Sequence, residues 1–199
     1  MMSSRREINN FVKCASALEV TAVCFLLIFA FWFQFVMGEL PCPLCILQRQ
    51  GILAIASGFL LNMRYHVRPS HYSLSIVAAV LTSFISLRQI ALHVTSPQGY
   101  GSAFLGLHMY TWVYILCSVS IVYIAIVIGY SRQFELHADK DEVSEARDPR
   151  IRLFSHWAFG LLVFLTVANI VSIFFECGLE QCPDNPVRYI VYGWFGQSL

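Results

Sequence analysis

Apolar residues in this chain come in long unbroken runs, without the alternation of a half-buried strand or the polar stripe of a surface helix. Five such runs stand out, at 14–37, 46–63, 72–94, 107–130 and 154–175. Each is long enough to cross a hydrocarbon core of about 30 Å at a rise of about 1.5 Å per residue. The pattern predicts an all-α integral membrane protein, a four-helix transmembrane bundle plus a fifth transmembrane helix, in a single membrane domain over 1–199. The first run follows Arg5, Arg6 and Lys13, as a signal peptide would. Its apolar core is too long for one and no small-residue cleavage site follows before Gly38-Glu39, so a retained span is expected.

Composition supports the class. Hydrophobic residues make up 57% and charged residues 13%, against about a quarter charged in an ordinary globular chain. The net charge of +1 gives no case for nucleic acid. Lys and Arg also set an orientation. With five spans, the N-terminus, the loop near 64–71 and the connector 131–153 share one side, and they hold Arg5, Arg6, Lys13, Arg64, Arg68, Arg132, Lys140, Arg147, Arg150 and Arg152. The other side holds Arg49 and Arg188, and its loop 95–106 has neither Lys nor Arg. The basic side is expected to be cytoplasmic and the tail 176–199 periplasmic. The mixed charges of 131–153 read as a solvated connector.

Topology then sorts the seven cysteines. Cys14, Cys24 and Cys117 fall inside apolar runs, where a thiol behaves as a small hydrophobe. Cys42, Cys45, Cys177 and Cys182 all fall on the outer side, although no cysteine entered the charge count. In an oxidising compartment two close pairs can be structural bridges, a metal site or a redox relay. A zinc site is disfavoured, because four persistent thiolates do not suit that compartment.

The first pair has the local chemistry of a reactive dithiol. If the second helix begins near Cys42, that residue is its N-cap and Pro43 its first residue, a position proline favours. Cys45 then sits under the unsatisfied N–H groups at the positive end of the helix dipole, which favours the nucleophilic thiolate. Arg49, four residues beyond Cys45, shares its face. A buried arginine snorkels or serves an anion, and a thiolate or a reduced quinone oxygen would be one. The second pair follows the fifth run. Five residues of continuous helix would separate Cys177 and Cys182 by ~7.5 Å along the axis, so Gly178 is expected to end the helix and let a turn bring the sulfurs together.

The stretch Cys42-Pro43-Leu44-Cys45-Ile46-Leu47-Gln48-Arg49 resembles the Cys-x-x-Cys…Arg signature of the DsbB family, quinone-linked oxidases of the bacterial inner membrane. The resemblance runs over roughly residues 10–130 and includes the entry to the fourth span at Phe104-Leu105-Gly106-Leu107-His108-Met109. It implies a relay in which a periplasmic DsbA-like partner of thioredoxin fold is reoxidised and two electrons pass to ubiquinone or menaquinone. Carried over by position, Cys45 would face the quinone, Arg49 would stabilise that complex, and Cys42 would exchange with a distal pair. One departure matters: the family's second pair lies between the third and fourth spans, and here that loop has no cysteine. Cys177 and Cys182 are therefore expected to take the partner-facing role. Gln48 and Arg88 complete the expected quinone contacts, with Gln89, His93 and His108 as lesser candidates. Two rivals stand beside this reading. One is a quinone-linked enzyme of the vitamin K epoxide reductase type; the other is a non-catalytic scaffold with structural bridges.

Overall fold

The structure is a computed structural model that describes residues 2–95, 99–134, 149–183, 186 and 188–191. Five long helices carry it: α1 (Met2–Phe35), α2 (Pro43–Arg64), α3 (Pro69–His93), α4 (Met109–Gly129) and α5 (Pro149–Cys177). All five are long and apolar enough to cross a membrane. Successive helices α1 to α4 pack in order, and α5 lies against α1 and also touches α2. The large apolar side chains left outside, such as Phe25, Phe84, Ile126 and Phe164, are the surface that lipid would cover.

Local chemistry sets the helix ends. Gly38, at φ 71°, ends the turn that closes α1, and the Glu39 N–H returns to the Phe33 carbonyl at 3.2 Å. Proline opens both α2 and α3 at the first position, where no intrahelical N–H is needed. Gly178, at φ 61°, closes α5, with its N–H on the Phe174 carbonyl at 2.8 Å. The sequence boundaries shift accordingly. The first helix begins ahead of its apolar run, and α5 starts at Pro149, inside the stretch expected to be connector. Residues 107 and 108 do not belong to the fourth helix. Leu107–His108 (β2) pairs antiparallel with Ala103–Phe104 (β1). Leu105 (φ 51°) and Gly106 (φ 80°) form the two-residue turn, the left-handed pair that such a hairpin requires. The rest of the connector, 135–148, and the tail beyond Val191 lie outside the described residues.

Two polar clusters identify the ends of the bundle. At one, Tyr72 donates to Gln133 Oε1 (3.0 Å) and Asn62 accepts from the Arg68 N–H (3.3 Å). At the other, Gln34 near the end of α1 bridges Arg49 near the start of α2 and Ser172 near the end of α5. Cys42, Cys45, Cys177 and Cys182 therefore share one end of the molecule.

Candidate functional site

Cys42 is the N-cap of α2, and its Sγ accepts the Cys45 N–H at 3.2 Å. The expected start of this helix is thus the observed one. The cap turns Cys42 inward, where it is buried, while Cys45 is only partly covered. Both thiols are unbridged, and a single amide serves the two: Gln89 Nε2 of α3 donates to each sulfur at 3.3 Å. Gln89 is itself held by Gln48, whose Nε2 donates to its Oε1 at 2.8 Å. The hydrogen bond shared with Cys45, reinforced by burial, pushes the Cys42 thiol well above its ordinary range. Cys42 is accordingly the member of the pair that keeps its proton.

Arg49 lies one turn beyond Cys45 and points to α1. Its guanidinium donates to Gln34 Oε1 (2.7 Å) and the Ala30 carbonyl (3.1 Å), and it sits 5.5 Å over the Phe31 ring. Charge-assisted bonds to neutral acceptors hold the cation without neutralising it. Cys45, Gln48 and Arg49 all open on a cavity of about 400 Å³ between α1, α2 and α4, whose remaining wall is overwhelmingly apolar.

The loop after α3 roofs this cavity. Glu39 accepts from the Ser102 hydroxyl and N–H, and the Tyr100 hydroxyl donates to the Leu40 carbonyl at 2.9 Å. Burial pushes the Tyr100 phenol up, which keeps it a donor. The hairpin is pinned by Phe104 against Phe29 (5.2 Å) and by Trp112 Nε1 donating to the Phe104 carbonyl (2.9 Å).

The second pair is a closed disulfide, Cys177–Cys182, with Cα atoms 4.7 Å apart across the turn that Gly178 begins. Cys177 is buried and Cys182 partly exposed. Of the tail, Tyr189 meets the site through its hydroxyl, which accepts from Gln34 Nε2 at 3.2 Å.

Not every expected contact is there. Arg88 lies on the exposed side of α3 and does not line the cavity. A step of about 100° per residue carries its neighbour Gln89 to the buried side instead, so Gln89 is the residue of α3 that meets the cysteines. His93 donates to the Gln89 carbonyl (2.9 Å) and stacks on Tyr110 (5.7 Å), with His108 on the same ring (5.3 Å). These histidines brace the site and are not among its cavity-lining residues. Cys24 and Cys117 are buried as expected, whereas Cys14 is exposed on α1. Gln34 escaped the sequence reading; its one signal was an amide near the end of an otherwise apolar run.

Residues 13–102 match the family described as Disulfide bond formation protein DsbB. Over this stretch the chain is similar to the DsbB family. Disulfide bond formation protein B 1 of Pseudomonas fluorescens (strain Pf0-1) is 28% identical over 147 residues, covering 72% of this chain and 78% of that protein. Disulfide bond formation protein B of Chromobacterium violaceum is 39% identical over 88 residues, 42% of this chain and 53% of that protein. No solved structure matches the chain significantly. Spanning-length helices and bacterial DsbB relatives together make it a multi-pass protein of the bacterial inner membrane. The match to the family model stops at residue 102, so α4, α5 and the Cys177–Cys182 pair lie beyond that model.

Proposed function

We propose that this protein is a membrane thiol:quinone oxidoreductase that supports disulfide formation by reoxidising a periplasmic DsbA-like partner. Electrons run from the partner dithiol to Cys177/Cys182, then to Cys42/Cys45, then to a quinone, ubiquinone or menaquinone. The observation that carries this reading is the placement of Cys45 and Arg49 side by side on an apolar cavity. Its volume of about 400 Å³ lies in the range of ligand pockets, ~300–1,000 Å³, and its few polar groups converge at one wall. That donor set suits a quinone: an apolar wall for the ring and tail, with Gln48 and Arg49 for a carbonyl oxygen. A bound quinone supplies acceptance of two electrons and two protons. The chain's own groups do the rest. Gln89 steadies both sulfurs, Cys42 keeps its proton, Arg49 offsets negative charge, and the Tyr100–Glu39 roof limits water.

The whole chain acts as a single membrane domain, with the N-terminus and 131–153 cytoplasmic and 176–199 periplasmic. Exchange between pairs proceeds by thiolate attack through mixed disulfides.

The test is a stopped-flow spectrum of the purified protein with quinone and a reduced DsbA-type partner. Quinone reduction by wild type, abolished in Cys45→Ala, is the expected result; no reduction with any partner would overturn the reading. The closed, largely buried Cys177–Cys182 bridge also suits a staple. Cys177→Ser and Cys182→Ser decide that point: turnover with the partner stops if the pair relays electrons, and continues if it only ties the loop.

A further inference from the structure

Helix α5, beyond the residues that the DsbB family model matches, turns polar side chains toward α1. Asn169, Ser172 and Glu176 follow one another at spacings of three and four, and all are buried. Ser172 Oγ accepts from Gln34 Nε2 at 2.7 Å, and Gln34 in turn holds Arg49. One turn further on, Glu176 is 1% exposed, and its Oε2 has no hydrogen-bond partner among the described residues. A buried carboxyl oxygen with nothing to accept from is costly to keep unless its charge has a use. Glu176 is bonded in sequence to Cys177 and interacts electrostatically with Arg49 and Cys45. Among the described residues, Tyr100 of the roof loop also interacts with Glu176, and Tyr189 of the tail reaches Gln34, the neutral residue that α1 contributes.

The charges at this point depend on the redox state of the first pair. When Cys42 and Cys45 are joined, the sulfurs carry no charge, and a Glu176 carboxylate balances the half-buried Arg49 cation. When the pair is reduced with Cys45 as thiolate, two anions face one cation in a site with little water. One arginine can offset only one of them.

We propose that Glu176 is the redox-linked proton acceptor of the site, a carboxylate while Cys42–Cys45 is a disulfide and a carboxylic acid when the pair is reduced. The inference rests on the reading of Cys42/Cys45 as the redox-active pair. In balance, the disulfide takes two electrons from a dithiol, which itself becomes a disulfide. The S–S bond breaks, one proton goes to Cys42, Cys45 is left as thiolate, and a second proton goes to Glu176. Reoxidation releases both protons with both electrons, the ratio that full reduction of a quinone consumes. Glu176 touches neither sulfur within hydrogen-bonding distance, so it acts as a positioning residue for charge.

Equilibration of the full-length protein with dithiothreitol at several pH values near neutrality tests this. Thiols are trapped by alkylation, and the Cys42/Cys45 peptides are resolved from Cys177/Cys182 by mass spectrometry. Dithiothreitol gives up two protons per two electrons while its thiols are protonated. A site that also takes up two therefore gives an equilibrium constant that is flat with pH in wild type. Glu176→Gln, which takes up only one, raises that constant about tenfold per pH unit, and Glu176→Asp restores the flat profile. A wild-type constant that already climbs tenfold per unit, or a flat Glu176→Gln profile, overturns the inference and leaves the proposed oxidase untouched. Failure of Cys42/Cys45 to exchange with dithiothreitol overturns both. Should the variant not fold, the wild-type infrared difference spectrum decides. Reduction is expected to raise a protonated-carboxyl band that shifts in heavy water, and absence of that band overturns the inference.

Discussion

Gln89 joins two sulfurs with one amide, and the neighbouring position does nothing of the kind. Its Nε2 reaches Cys42 and Cys45 at 3.3 Å each, while Gln48 fixes its oxygen. A hydrogen bond to a charged acceptor contributes about 1.5–3 kcal/mol, and about 1.4 kcal/mol is a tenfold rate effect. Gln89→Leu should therefore slow oxidation of the pair by a soluble quinone analogue about tenfold or more in stopped flow. Arg88→Ala should leave that rate within about twofold, since Arg88 faces outward. A loss confined to Arg88→Ala would sink the assignment. In the sequence the two residues were adjacent candidates, and the arginine stood out because charge inside a span is costly. Only the rotation of α3 about its axis separates them, and that rotation follows from packing against α2.

At the scale of elements, α2 and α3 approach closely where α2 has no side chain. A Cβ at Gly58 would run into the His71 carbonyl and the Ser75 hydroxyl, and Ser75 already donates to the Ile55 carbonyl at 2.7 Å. Small residues allow such close approach between membrane helices, where packing replaces the hydrophobic drive. Because the obstacle includes backbone, Gly58→Ala should destabilise by about 1–3 kcal/mol, the usual cost of overpacking. Gly129→Ala, with open space around it, should be close to neutral. Thermal unfolding in detergent compares the two, and equal Tm values would refute the close approach. Helix α5 makes a related point. Its buried positions Ser155, Ala158, Leu162, Leu165, Asn169, Ser172 and Glu176 alternate spacings of three and four along one face. The residues were all visible in the sequence. The uniform hydrophobicity around them hid which face they formed, since lipid accepts apolar side chains on every other face.

For the whole molecule, the decisive feature is that both cysteine pairs sit at one end. The chain of contacts from Arg49 through Gln34 to Ser172 places the start of α2 beside the ends of α1 and α5. With basic residues concentrated at the opposite end, that end is expected to face the periplasm. After mild reduction, Cys182, the more exposed of its pair, should react with a membrane-impermeant maleimide in intact spheroplasts. It should resist the reagent in inverted vesicles. The reverse pattern would overturn the orientation and, with it, access by a periplasmic partner.

Hydrophobic run length was enough to predict the five spanning helices, and the placement of Lys and Arg sets the side each loop is expected to occupy. Both depend on the energetics of single segments in lipid, which a linear chain displays. The N-cap role of Cys42, the first-turn position of Cys45 and the glycine stop before Cys182 were equally legible, being contacts within one turn of chain. Tertiary structure decided everything that depends on helix rotation and on partners far apart in sequence. It turned Gln89 rather than Arg88 to the sulfurs, brought Gln34 to Arg49, folded 103–108 into a hairpin over the cavity, and buried Glu176 behind Arg49. A run that is apolar on all sides carries no signal of which side faces a neighbour. In this protein buried polar contacts between helices, such as Gln48 with Gln89 and Gln34 with Arg49 and Ser172, mark the faces that meet.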